Sequence, residues 1–155
     1  MSDARWFEIE DDLAAAVLHF RRSQELAAAG GFDADTLDGY RAQMALMHAM
    51  QSGHTSLESM LVRILALLGE DAPSGASWHA DLITRVARAL PARPAILHPD
   101  LAAAANETRR FRHVAMRNYG TFNATLARPA IEAAQRLAAD LPRSVATFKA
   151  VIDTP

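Results

Sequence analysis

The 155-residue chain contains no cysteine. Disulfides, thiolate nucleophiles and zinc–sulfur sites are therefore excluded. Glycine and proline number seven each, too few for a disordered or collagen-like chain. A leader pattern is lacking too: Met1-Ser2-Asp3 runs into acidic residues, not into a basic and then an apolar stretch. Apolar runs are cut by charge, as Arg63 cuts Met60 to Leu68. None approaches the roughly 20 residues needed to span a bilayer. A soluble, cytoplasmic protein without membrane association is expected. Also missing are alternating strand patterns, internal repeats, a glycine-rich phosphate loop, a G-x-S-x-G elbow and an H-E-x-x-H pair. No metal site and no cofactor are expected.

Half of the residues are hydrophobic and 22% are charged, which suits one globular domain over residues 1–155 with a single core. Helical spacing dominates. The first helix is predicted over Arg5 to Ala29, with Leu13, Val17 and Phe20 inward and Gly30-Gly31 as its stop. The second, capped by Asp33 or Asp35, runs from Thr36 to Leu68. Leu37, Tyr40, Met44 and Met47 form its first stripe, Leu57, Leu61, Ile64, Leu65 and Leu68 its second, with a bend at Gly53. The third covers Trp78 to Leu90 and ends at Pro91 and Pro94. The fourth starts at Pro99-Asp100 and reaches Asn118; a break follows over Gly120 to Asn123. The fifth spans Leu126 to Val151, with an interruption at Pro142. The fold class is all-α, an up-and-down bundle of about five helices whose first two pair antiparallel.

Net charge is only −2, yet it is unevenly spread. Residues 1–40 hold nine Asp and Glu against three Arg, whereas residues 85–117 hold seven Arg against Asp100 and Glu107. Two outcomes are open: the acidic first helix cancels the basic segment, or a basic surface remains that attracts phosphate. Arg109, Arg110, Arg112, His113, Arg117 and Tyr119 crowd into the end of the fourth helix. Residues three and four apart share a helix face. Asn106, Arg110, His113 and Arg117 thus form a polar ridge, and Leu101, Ala105, Thr108, Arg112, Ala115 and Tyr119 a mostly apolar one. An arginine on an apolar stripe needs a partner, because an unpaired buried charge is costly. Either Glu58 or another carboxylate pairs with it, or its planar fork grips a phosphate in a cleft.

The string Phe111-Arg112-His113-Val114-Ala115-Met116-Arg117-Asn118-Tyr119-Gly120 resembles the final-helix motif of HEPN domains, in particular the HepT-like branch. Ser74 to Ile83, with Trp78-His79, resembles that branch's loop and helix start; Arg93-Pro94-Ala95-Ile96 resembles its connection into the motif helix. Ser56-Leu57-Glu58 sits where the family often has an apolar residue followed by Glu. The likeness covers roughly residues 40 to 150. It implies a HEPN-like five-helix bundle that forms a homodimer, with the two motif helices lining a shared cleft. It also implies a bacterial toxin–antitoxin setting, in which a metal-independent endoribonuclease is neutralised by a nucleotidyltransferase partner, in some systems by AMP transfer to the motif tyrosine.

The family motif is Arg, four to six residues, His, and often one residue then Tyr. Arg112 and Tyr119 match; Arg117 occupies the histidine slot. Arginine stays charged and cannot act as a base. Two readings follow. In one, His113 takes over proton transfer, Arg112 and Arg117 complete the catalytic set, Arg109, Arg110 and Asn118 bind RNA phosphates, and Tyr119 is the AMP acceptor or a site tyrosine. In the other, the domain is a non-catalytic interaction module, or an antitoxin-like partner, that binds a nucleotidyltransferase or a nucleotide. His19, His48, His54, His79 and His98 read as scattered, with Trp78-His79 anchoring its loop.

Overall fold

The computed structural model describes residues 4–33, 35–117 and 123–153. Five helices follow one another: α1 (Ala4–Ala29), α2 (Leu37–Leu67), α3 (Trp78–Val86), α4 (Pro99–Arg117) and α5 (Ala124–Ile152). Among the described residues there is no strand, only an isolated bridge between Leu90 and Arg93. The chain is all-α, as its periodicity predicts. Among the described residues no helix is long and apolar enough to cross a membrane.

α1 and α2 make the broadest interface, and α5 covers α1 and α4. Contacts between Arg63 and Glu8, and between Gln43 and Phe32, show that α1 and α2 run antiparallel. Trp6, Ile9 and Phe20 from α1, Leu57, Leu61 and Ile64 from α2, and Leu137 and Leu141 from α5 join one buried core. α1 stops where expected: Gly30 and Gly31 adopt φ of 65° and 75°, a conformation with little cost for glycine alone.

Four boundaries and phases differ from the sequence reading. The cap of α2 is Thr36, whose hydroxyl accepts from the Gly39 N–H at 2.9 Å; Asp33 instead accepts from Asp35 N–H. The opening turns of α2 bury Gly39, Gln43, Leu46 and Met50, leaving Leu37 and Tyr40 exposed. Gln43 turns inward because its amide donates to the Phe32 carbonyl at 2.7 Å. α3 ends at Val86 because its carbonyl accepts the N–H groups of Ile96 and Leu97 at 2.8 and 3.1 Å. Pro142 does not interrupt α5. Burial of Leu137, Ala138, Leu141 and Val145 outweighs the hydrogen bond that proline forfeits.

Gly53 is part of one uninterrupted α2, and its role is close helix approach. A Cβ there would lie 2.6 Å from Cε1 of Phe20, a ring buried completely. Gly53→Ala gains about 1 kcal/mol in helix propensity but overpacks at a cost of about 1–3 kcal/mol. A lowered melting temperature is expected; a raised one would show that the Phe20 ring yields freely.

Candidate functional site

Three helices meet at one carboxylate. Glu58 on α2 is buried, with its side chain 6% exposed. Its Oε1 accepts from Nη1 of Arg112 on α4 at 2.7 Å, and its Oε2 accepts from Nδ1 of His79 on α3 at 2.5 Å. His54, one turn earlier on α2, places Nε2 3.5 Å from the same Oε2, without hydrogen-bond geometry. The other ring nitrogen of His54 lies 2.8 Å from the Thr108 hydroxyl. That hydroxyl donates to the Ala105 carbonyl at 3.0 Å, so it accepts from His54.

Burial pushes the Glu58 carboxyl up, but the contacts and charges of His54 and His79 outweigh it and hold the group at about 2. An ionised carboxylate only accepts hydrogen bonds. His79 therefore carries its proton on Nδ1, and its Nε2 has no hydrogen-bond partner among the described residues. The Trp78 indole lies against the His79 ring with centroids 3.7 Å apart, fixing the ring from a second side.

Beside this cluster is a solvent-open cavity of about 450 Å³, lined among others by Thr55, Ser59, Trp78, His79 and Arg112. Arg63 also lines it, but its charge is met by Glu8 and Asp12 of α1 at 2.8 Å each. Arg112 is different. Its side chain is 26% exposed, and only Nη1 is engaged, leaving Nε and Nη2 without a hydrogen-bond partner among the described residues. Of the two outcomes foreseen for this arginine, the structure shows the pairing with Glu58, and the same guanidinium also lines an opening.

The remaining expected residues are arranged as follows. Leu101, Ala105 and Thr108 form the buried face of α4, matching the apolar ridge; Arg110 and His113 are exposed, matching the polar one. Arg110 pairs with Glu107 at 2.7 Å, and Arg109 donates to the Asn106 side chain at 3.2 Å. His113 makes no hydrogen bond to a described residue and does not line the Arg112 cavity. Arg117 closes α4, but its side chain, like Asn118, Tyr119 and the break over 120–122, lies outside the described residues. Among the described residues no group of His, Asp and Glu is arranged to hold a metal ion.

Among the described residues, three carboxylates of the acidic first helix meet cations outside α4. Glu8 and Asp12 meet Arg63 of α2, and Glu10 meets Lys149 of α5 at 3.1 Å. His54 and His79 join the site, whereas sequence reading takes them as scattered and gives Trp78-His79 the role of a loop anchor. The four-residue spacing of His54 and Glu58, which puts both on one helix face, was a visible signal for the first. Nothing local signals the second, since its partner lies 21 residues away on another helix.

Comparison with known proteins adds one decisive match. A family model described as HepT-like protein matches residues 45–152. The chain belongs to the HepT-like protein family. The match begins within α2 and runs to the end of α5, and so contains every residue of the Glu58 cluster and the whole of α4 in this HepT-like protein. No curated protein and no solved structure matches the chain.

Proposed function

We propose that this HepT-like protein is a single-domain, cytoplasmic RNA-binding component of a bacterial HEPN toxin–antitoxin module and cleaves RNA without a metal. One observation carries the reading: Arg112 stands in an open pocket and, among the described residues, has only one nitrogen of its guanidinium fork engaged. The free donors suit a phosphate oxygen, and the Glu58 contact fixes the fork in place. Arg117 adds a second charge on the same helix. Arg109, Arg110 and Asn118 extend the basic run along which an RNA backbone would lie. Two copies with facing α4 helices would double this surface, so the working form in this reading is a homodimer. Tyr119 is the group that a nucleotidyltransferase partner would modify. Proton exchange falls to a histidine, and the motif helix offers His113.

The rival reading, a non-catalytic interaction module, is favoured by Arg117 in the histidine slot. RNA binding and RNA cleavage separate the two. A fluorescein-labelled single-stranded RNA should bind in EDTA, with affinity falling as salt rises. Arg112→Ala should weaken binding about tenfold or more, the scale of a charge-assisted hydrogen bond. Anisotropy titrations at several salt concentrations measure both. Unchanged affinity in Arg112→Ala would remove the pocket from the reading; binding without turnover by the unaltered protein would leave the module.

A further inference from the structure

The motif helix lacks its histidine, but the pocket does not lack one. We infer that His79, held by Glu58 and facing the same cavity as Arg112, is the proton acceptor for RNA cleavage. This rests on the RNA-cleaving reading above and assigns its chemistry to a residue on α3 instead of α4.

Three observations converge. First, the Nδ1–H of His79 is tied to Glu58, so Nε2 is the nitrogen with a free lone pair. A base whose ring is oriented by a carboxylate is the arrangement that general-base chemistry needs. Second, the ring is held by two contacts, the carboxylate and the Trp78 face. Third, Arg112 uses the other oxygen of the same carboxylate. Glu58 therefore sets the base and the anion-binding group side by side, at the mouth of one cavity. Among the described residues, His79 meets Glu58, which also contacts His54 and Arg112, and it shares its cavity with Arg63 and Arg112. Of these, Arg63 is already balanced by Glu8 and Asp12.

The step balances without a metal or an added reagent. Nε2 of His79 takes the proton of a ribose 2′-hydroxyl. The 2′-oxygen forms a bond to the adjacent phosphorus, and the bond from phosphorus to the 5′-oxygen breaks. The departing 5′-oxygen takes a proton from water, and the hydroxide so formed takes the proton from His79, leaving a 2′,3′-cyclic phosphate, a 5′-hydroxyl and the free base. Nε and Nη2 of Arg112 stabilise the charge that gathers on the non-bridging oxygens. His79 is thus a catalytic residue and Glu58 a positioning residue, acting through the His79 ring and the Arg112 fork.

The test uses the full chain, a labelled single-stranded RNA and EDTA, with binding and cleavage measured on the same samples. His79→Ala should lose at least about 100-fold in cleavage rate and keep RNA affinity within a few fold. Free imidazole should restore part of the rate in His79→Ala, which a purely structural residue would not permit. His79→Gln, whose amide can still donate to Glu58, should fold as the parent does and stay inactive without responding to imidazole. Glu58→Gln should lower the rate through both of its dependants. Cleavage by His79→Gln at the parental rate overturns the assignment, as does loss of cleavage in His113→Ala while His79→Ala stays active. An unaltered protein that binds RNA and never cleaves it overturns the assignment and leaves the phosphate pocket standing. Absence of RNA binding removes both together.

Discussion

Arg93→Ala is expected to lower the free energy of unfolding by about 3–5 kcal/mol, the range for breaking a buried ion pair by removing one partner. The Arg93 side chain is 2% exposed and grips Glu70 through two nitrogens, at 2.5 and 3.0 Å. Its Nη1 also donates to the carbonyls of Arg88 and Pro94, at 2.8 and 3.1 Å. One guanidinium therefore ties the end of α2 to the segment between α3 and α4. Truncation strands these two carbonyls and, among the described residues, leaves Glu70 only the distant Arg85, 3.9 Å away. Arg93→Lys should recover little, since a point charge cannot reproduce a planar fork. Urea unfolding checks this: the midpoint should fall while the slope stays unchanged. A loss below about 1 kcal/mol would place Arg93 among surface ion pairs, against its burial.

Glu58 should govern acid stability. Its carboxyl is held at about 2 against an ordinary 4.5, because the contacts and charges of His54 and His79 outweigh the opposing effect of burial. A depressed carboxyl contributes stability that is complete above the unfolded value and is lost as pH falls through the folded one. The window therefore runs from about pH 4.5 down to about pH 2. Over it this one group should remove about 2–3 kcal/mol, the scale set by 1.36 kcal/mol per unit. Glu70, lowered mainly by its Arg93 hydrogen bond, acts in the same direction. The informative quantity is hence the difference between the parent and Glu58→Gln, measured by urea unfolding at pH 5.5 and pH 3. The parent should lose more stability than the variant between the two. Glu58→Ala should be less stable than the parent near neutrality by about 1.5–3 kcal/mol, the scale of a hydrogen bond to a charged group, because Arg112 and His79 lose their shared partner. Parallel pH profiles for parent and Glu58→Gln would show that the carboxylate does not hold these partners in solution.

Periodicity carried the helices and the two ridges of α4, because spacing along one helix decides which residues share a face. It failed where the inward residues are not apolar. The first turns of α2 are anchored by Gly39 and Gln43, so the eye follows Leu37 and Tyr40, which are exposed. It failed at Gly53 because the neighbour that demands a glycine, Phe20, belongs to another helix. The candidate site divides the same way. Arg112 stands out from its own helix, and Glu58 was named as one partner for it. The convergence of His54 and His79 on Glu58, and the Thr108 contact, join residues on three helices. Apart from the four-residue step from His54 to Glu58, contacts of that kind have no period to read.

The nine residues of α3 are fewer than the roughly 12–15 that make an isolated helix even marginal in water. Its shape is borrowed from neighbours through one face, which carries His79, Leu82, Ile83 and Val86. The imidazole is consequently mounted on a bracket without stiffness of its own. Whatever loosens the surrounding bundle will misplace that ring before it disturbs the guanidinium on the longer, self-supporting α4.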